Sequence, residues 1–341
     1  MSVLSIGDPT LTHRLEADLQ QVRRVFAREL ESDLACVNEL AGLVQRYHGK
    51  MLRPMLVLTT AMALEPGAEP TDERFLVAAA VVEMVHVATL VHDDVLDEAD
   101  MRRSGPTLNH LYGNEAAVML GDYLISHAYH LCSSLGDTQV SRLIARATNT
   151  VCEGELLQLS NRRNLELDEP TYFDIITRKT ASLCGACCQV AAVLSGAKPG
   201  VGETLYRFGE TLGVAFQIVD DLLDLTGETD AVGKTLGLDL AKGKLTLPLI
   251  HAIGRSADSD KARLLDLLRA QADPQLSEAD RRAGAQEVRR VLEEGGSLDY
   301  ARDTAASLVE RAKAILIDTL ADTPARAYLV GLSERVLTRR K

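Results

Sequence analysis

Phe75-Leu76-Val77-Ala78-Ala79-Ala80-Val81-Val82-Glu83-Met84-Val85-His86-Val87-Ala88-Thr89-Leu90-Val91-His92-Asp93-Asp94-Val95-Leu96-Asp97 is a nearly unbroken apolar run that ends in aspartates. Its apolar part, Phe75–Val91, carries Glu83 and His86, and is too short and too polar to span a bilayer comfortably. The stretch Glu73–Glu98 therefore predicts a helix that is apolar almost all round and runs through the middle of a soluble fold. A core helix that finishes in three carboxylates is the feature the rest of the chain has to explain, because burying a carboxylate costs several kcal/mol unless something compensates it.

The neighbouring segments read the same way. Leu15–Arg46 is long and amphipathic, with Leu15, Leu19, Val22, Phe26 and Leu30 at spacings of three or four. Arg53-Pro54 opens the next helix, proline being tolerated in a first turn. Arg102-Arg103-Ser104-Gly105-Pro106 reads as a loop, followed by helices at Glu115–Leu135, Thr138–Asn161 and Pro170–Ser195. Gly196-Ala197-Lys198-Pro199-Gly200 is a turn, and Gly202–Leu225 is helical again. Thr226–Lys244, rich in glycine and charge, reads as a functional loop. Leu247–Arg255, Lys261–Ala272, Glu278–Glu294 and Leu298–Leu320 complete the helices, with the polar stretch Ser256–Glu278 the weakest part. Strand-type alternation is hard to find. The expectation is one all-α domain spanning residues 1–341, built from ten or more helices.

A second acidic cluster, Asp220-Asp221-x-x-Asp224, repeats the spacing of Asp93-Asp94-x-x-Asp97 and also follows apolar helix, Ala215-Phe216-Gln217-Ile218-Val219. On a helix, residues four apart share a face. Asp93 therefore points with Asp97 and Asp220 with Asp224, while Asp94 and Asp221 lie about a quarter-turn away. Carboxylates at a helix C-terminus oppose the helix dipole, so a merely solvated helix end explains them poorly. Hard oxygen donors suit Mg²⁺, which commonly takes one or two carboxylates together with substrate phosphates. Two such clusters facing each other would hold several Mg²⁺ ions around a diphosphate.

Composition narrows the alternatives. The 341-residue chain is 46% hydrophobic, has no Trp and only 4% aromatic residues, and carries a formal charge of −12. That balance excludes the usual nucleic-acid binder, which shows a basic excess or stripe; for an anionic ligand, bound metal inverts the local field. Met1–Gln20 lacks the apolar core of a secretion signal. The six cysteines then fit a reducing cytoplasm with free thiols. Cys184-x-x-Cys187 has no second pair or nearby histidine to complete a metal site, and reads as small buried residues on a helix.

Basic residues flank both acidic clusters. Gly49-Lys50-x-x-Arg53 opens a helix, where backbone N–H groups also favour an anion. Arg102-Arg103 follows the first cluster, Lys179-Thr180 lies mid-chain, and Gly233-Lys234 and Gly243-Lys244 follow the second. Together they suggest two diphosphates, one held through metal and one gripped directly by Lys and Arg.

With these pieces in place the chain resembles the trans-isoprenyl diphosphate synthases (polyprenyl synthetase family). The resemblance is carried by Gly49-Lys50-Met51-Leu52-Arg53-Pro54, His86 to Asp97, Asp100-Met101-Arg102-Arg103, Gly121-Asp122-Tyr123, Gly154-Glu155-x-x-Gln158, Lys179-Thr180-Ala181, Phe216-Gln217-x-x-Asp220-Asp221-x-x-Asp224 and Gly243-Lys244-x-Thr246-Leu247-Pro248, in family order over about two-thirds of the chain. It implies the isoprenoid synthase fold and the Mg²⁺-dependent head-to-tail condensation of isopentenyl diphosphate with an allylic diphosphate. By that resemblance Asp93 and Asp97, with Asp220 and Asp224, bind Mg²⁺ on the allylic diphosphate, supported by Asp94 and Asp221. Arg102, Lys179 and Lys234 contact the same diphosphate. Lys50, Arg53, His86 and Arg103 bind isopentenyl diphosphate, and Lys244 helps close the site. Thr180 and Gln217 offer oxygen dipoles to the carbocation left when the allylic C–O bond breaks, which needs a dry pocket.

The growing chain needs an apolar path. Thr89 and Ala88 lie four and five residues before Asp93, about 6–7.5 Å down the helix axis. Short-chain members of the family put bulky aromatics near here, whereas these two are small. Val85, Val82, Val81 and Ala78 continue the wall, with Tyr123, His127, His130 and Leu131 as candidate floor residues. The expectation is a hexaprenyl or longer product, octaprenyl centrally, against a geranylgeranyl or farnesyl diphosphate synthase. A terpene cyclase carries Asn and Ser in its second motif, and a noncatalytic subunit of a heteromeric synthase tends to lose the aspartates; neither pattern is seen. The resemblance also implies a homodimer, with Glu115–Leu135 a candidate interface, and the water-insoluble product suggests transient contact with a membrane surface.

Overall fold

The computed structural model describes residues 7–44, 47–67, 71–102, 105–227, 237–273 and 275–339. The helices are α1 (Pro9–Glu29), α2 (Ala35–Val44), α3 (Leu52–Leu64), α4 (Glu73–Leu96), α5 (Leu108–Tyr112), α6 (Asn114–Ser133), α7 (Thr138–Ser160), α8 (Glu169–Ile176), α9 (Ser182–Leu194), α10 (Val201–Thr226), α11 (Leu238–Ala241), α12 (Leu247–Arg255), α13 (Asp258–Gln271), α14 (Glu278–Glu294), α15 (Ser297–Thr319) and α16 (Pro324–Leu337). A π-helical turn, Thr177–Ala181, joins α8 to α9. Two strands, β1 (Met101–Arg102) and β2 (Gly105–Pro106), pair antiparallel. The chain forms two compact units, Met1–Thr148 with Leu183–Gly209 and Ala314–Leu332, and Asn149–Ser182 with Glu210–Lys313 and Ser333–Lys341.

In the first unit α4 is the hub, packing on α1, α3 and α6. Asp72 starts it by accepting a hydrogen bond from the Arg74 amide at 2.8 Å, as an N-cap carboxylate should. Every residue from Val77 to Val85 is buried, so the whole circumference of its middle turns faces protein. Although α4 is long and apolar enough to cross a membrane, most of its apolar window is buried inside the protein. The one buried charge in mid-helix, Glu83, is answered by His48 at 3.4 Å. Close approach of α6 depends on Gly121, because a Cβ there would run into the His92 ring.

The second unit is organised around α8, the π turn, α12 and the C-terminal part of α10. Asp168 caps α8 through the Thr171 amide at 2.9 Å. Pro248 sits in the first turn of α12, where its missing N–H costs nothing. Leu264 and Leu268 of α13 and Val288 and Leu292 of α14 are buried, so the polar stretch after Ser256 is a packed helical pair rather than a surface insertion.

Four expectations need correction. Leu15–Arg46 is two helices, because α1 stops at Glu29 and the Asn38 side-chain amide takes the Ser32 backbone, accepting from its N–H at 3.0 Å and donating to its carbonyl at 2.7 Å, a local competition that breaks helices. The expected buried face of α1, Leu15 to Leu30, is as read. Pro170–Ser195 is interrupted by the π turn. The loop after Arg102 contains the small hairpin. Beyond Leu320 lies a further helix, α16, whose Tyr328, Leu329, Leu332 and Val336 are buried.

Gly121→Ala tests the α4–α6 approach. Helix propensity favours alanine by about 1 kcal/mol, whereas forcing atoms into a packed contact costs about 1–3 kcal/mol. The clash should win, and the thermal midpoint should fall; an unchanged or raised midpoint would show that the His92 contact yields.

Candidate active site

The two aspartate clusters are each built within one unit, and in each the middle aspartate is the buried one. Asp94 is 1% exposed. Arg102 grips its carboxylate with Nε at 2.9 and 3.1 Å and Nη2 at 2.7 Å. The Tyr47 hydroxyl donates to it at 3.0 Å and itself accepts from the Leu108 amide at 3.2 Å. Burial pushes the Tyr47 hydroxyl up to about 12, so it remains a donor. Asn109 donates to the backbone carbonyls of Asp94 and Ala99 at 3.3 and 3.1 Å. Arg102 itself lies in β1, paired with Gly105 of β2. Asp93 and Asp97 are only partly buried, and Asp97 ends α4 with its amide on the Asp93 carbonyl at 2.8 Å.

The second cluster repeats the design. Asp221 is 6% exposed. Tyr172 donates to it at 2.6 Å and the Gln217 amide at 2.8 Å. Thr180 in turn donates to the Gln217 oxygen at 3.0 Å, giving a chain Thr180 to Gln217 to Asp221. Burial, reinforced by the charge of Asp239, raises the Asp221 carboxyl well above the ordinary range. Burial likewise drives Tyr172 upward and keeps it protonated. Asp224 accepts from the amides of Leu238 and Asp239 at 3.2 and 3.1 Å. Asp220 meets Arg339 at 2.7 Å, and that guanidinium stacks on Phe216 at 4.0 Å.

The cations are placed by special backbone. Met51 has φ +55°, a left-handed conformation costly for a residue with a side chain, and it stands between exposed Lys50 and half-buried Arg53. Arg53 Nε is buried without a hydrogen-bond partner, an unmet donor that an anion would satisfy. His86 is half-buried on α4, its carbonyl accepting from Thr89 at 2.7 Å. Lys179 lies in the π turn and pairs with Glu155 of α7. Gly154 permits this, since a Cβ there would clash with the Lys179 amide and sit 2.8 Å from the Arg178 side chain. π turns inside helices are frequent at functional sites. Lys244 is 3.9 Å from Asp239. Arg103 and Lys234 lie outside the described residues.

Of the chain-length residues, Val85 and Ala88 are fully buried and Thr89 partly so. The candidate floor needs revision. The His130 side chain is 79% exposed and both His130 and His127 turn to Glu29, while Tyr123 reaches the Leu30 carbonyl at 3.4 Å. Only Leu131 of the four is buried.

Sequence reasoning passed over Tyr47, Tyr172, Asp239 and Arg339. Tyr47 stands three residues before Lys50, a nearness that gives a weak signal. Arg339 belongs to the terminal Arg339-Arg340-Lys341, which looks like ordinary solvated charge.

As to donors for a divalent cation, the residues fit: partly accessible carboxylates stand beside a buried aspartate whose ionisation is opposed by a neighbouring negative charge, which a cation would relieve. The chain matches the sequence profile of the family described as Polyprenyl synthetase over residues 36–282. It is 35% identical to the octaprenyl diphosphate synthase of Escherichia coli K12 over 322 residues, 94% of this chain and 96% of that protein. It is likewise 35% identical to the geranyl-diphosphate-specific all-trans-nonaprenyl-diphosphate synthase of Rhodobacter capsulatus, over 91% of each. The crystal structure of a polyprenyl synthase from Caulobacter crescentus CB15, complexed with calcium and isoprenyl diphosphate, superposes with a TM-score of 0.87 at 34% identity, covering 96% of this chain and 98% of that one. Matched along most of its length in sequence and in fold, the chain belongs to the polyprenyl synthetase family and is an all-α prenyltransferase.

Proposed function

We propose that residues 1–341 act as one catalytic unit that joins isopentenyl diphosphate to an allylic diphosphate and releases pyrophosphate, giving an all-trans polyprenyl diphosphate of hexaprenyl length or more, octaprenyl centrally. The observation that carries it is the duplicated cluster in which a tyrosine sequesters the middle aspartate while its neighbours stay partly accessible. Asp93, Asp97, Asp220 and Asp224 are the proposed ligands of divalent cations, magnesium by the hardness of the oxygens. When bound, the cations neutralise the charge of the departing pyrophosphate.

The chain's own residues do the rest. Lys50 and Arg53 bind the isopentenyl diphosphate, with His86 and Arg103. Lys179, Lys234, Lys244 and Arg102 contribute positive charge to the allylic one. As the allylic C–O bond breaks, both of its electrons leave with pyrophosphate. The isopentenyl double bond supplies the pair for the new C–C bond, and a proton departs to the pyrophosphate. The Thr180 hydroxyl, oriented by Gln217, offers its oxygen to the cation. Asp94 and Asp221 serve by position, fixing the helix ends that carry the ligands.

Length is set along α4. The small, buried Ala88 and Val85 leave no aromatic stop, and the octaprenyl and nonaprenyl activities named for the two relatives support a long product. Exposed Leu111, Tyr112, Val118 and Met119 on α5 and α6 support a homodimer. Six unpaired cysteines suit a reducing, cytoplasmic setting, with the product unloaded at a membrane surface.

Incubation with labelled isopentenyl diphosphate, allylic starters of several lengths and Mg²⁺ tests the proposal. Isopentenyl diphosphate should be consumed into a ladder ending near the octaprenyl product, with no turnover in chelator. Starter consumption without isopentenyl diphosphate would indicate a cyclase, and a ladder ending at geranylgeranyl would overturn the chain length. Ala88→Phe should shorten the product; an unaltered length would remove Ala88 from the path. Asp93 and Asp94 should separate. Asp93→Ala should lower kcat/KM by about 10²-fold or more with the melting midpoint kept. Asp94→Ala strands Arg102 and should cost about 3–5 kcal/mol of stability. Equal stability of the two variants would contradict the division of labour.

A further inference from the structure

Glu29, the last residue of α1, faces His127 and His130 of α6, three residues apart and so neighbours on one helix face. Both imidazole Nδ1 atoms approach the same Glu29 oxygen, at 3.3 and 2.8 Å, and the three donor atoms all lie within 4.8 Å of one another. Two ligands on one tetrahedral zinc ion, each bonded at about 2.0–2.2 Å, are separated by roughly 3.3–3.6 Å; the His127 contact matches that, the His130 contact is shorter, and small side-chain rotations would bring all three donors onto one ion. The Glu29 side chain is 17% exposed and has no Lys or Arg partner among the described residues, leaving its charge answered by imidazole alone. Tyr123 braces the arrangement. Its ring packs 4.2 Å from that of His127, and its hydroxyl donates to the Leu30 carbonyl at 3.4 Å, fixing the end of α1 against α6 beside Glu29.

We propose that Glu29, His127 and His130 form a transition-metal site that shares no residue with the aspartate clusters and ties the end of α1 to α6. Two imidazoles and a carboxylate are borderline donors that suit Zn²⁺ and its neighbours, not the Mg²⁺ of an all-oxygen site. The exposed His130 leaves the fourth position to water. The role is structural, since nothing in the condensation uses these groups, and the residues read from sequence as a tunnel floor acquire this function instead.

The test uses the full-length chain without an affinity tag, in saturating Mg²⁺ so that the oxygen sites are filled, titrated with Co²⁺ and then with competing Zn²⁺. The proposal predicts visible cobalt absorption that saturates at one equivalent per chain, disappears on adding Zn²⁺, and accompanies a Zn²⁺-dependent rise in melting midpoint. His130 is exposed, so His130→Ala should fold normally yet bind about tenfold or more weakly and lose the thermal response. Glu29→Gln should do the same. Wild-type affinity and stoichiometry in His130→Ala and Glu29→Gln, or no cobalt spectrum from the wild-type chain, would overturn the site.

Discussion

The burial of one carboxylate at the end of a core helix is the constraint on which the rest depends. Asp94 lies in the last turn of α4 and Asp221 in the last turns of α10, each removed from water and each held by a tyrosine hydroxyl. A buried carboxylate without partners would unravel the helix end. With Tyr47 and Arg102 on one, and Tyr172 and Gln217 on the other, the helix ends become rigid. The flanking aspartates are then presented from fixed backbone, which is what metal binding and its chemistry require. The same roles are filled by different helpers. Arg102 neutralises Asp94 outright, whereas Asp221 has, among the described residues, the neutral donors Tyr172 and Gln217 and the repulsion of Asp239, and Arg339 lies nearby on Asp220.

The cationic side is assembled from unusual backbone as much as from charge. Met51 is held left-handed between Lys50 and Arg53, and the π turn carries Lys179 and Thr180 past Gly154. Both features cost conformational energy, and each fixes the backbone that carries a basic residue proposed to bind diphosphate. The buried, unpartnered Nε of Arg53 agrees with that demand, because a donor left unmet in the protein alone is satisfied when an anion binds.

How far the sequence foretold this differs from residue to residue. The core helix and the paired aspartate spacing were legible because each depends on local periodicity: an apolar run and positions four apart on one face. The division between buried and accessible aspartates was half legible. Helix geometry turns Asp94 away from Asp93 and Asp97, but its partner Tyr47 is brought by packing from 47 positions away. The π turn was invisible, since it arises where a Cβ-less residue on α7 lets another helix come close. The break after Leu30 was hidden by an amphipathic pattern that continues through it. Helix α16 was less legible: its buried Tyr328, Leu332 and Val336 stand four apart, but Gly331, a weak helix former, interrupts the pattern. His127 and His130 looked like tunnel residues because periodicity gives a helix faces but not the neighbour each face meets.

Both carboxylate clusters are proposed to hold cations that in turn hold a diphosphate. Calorimetric titration with inorganic pyrophosphate, with and without Mg²⁺, tests this without depending on substrate choice or product length. Binding should require Mg²⁺ and be lost in Asp93→Asn and in Asp220→Asn alike. Binding of equal strength in chelator, or retained when either cluster is altered, would contradict that role.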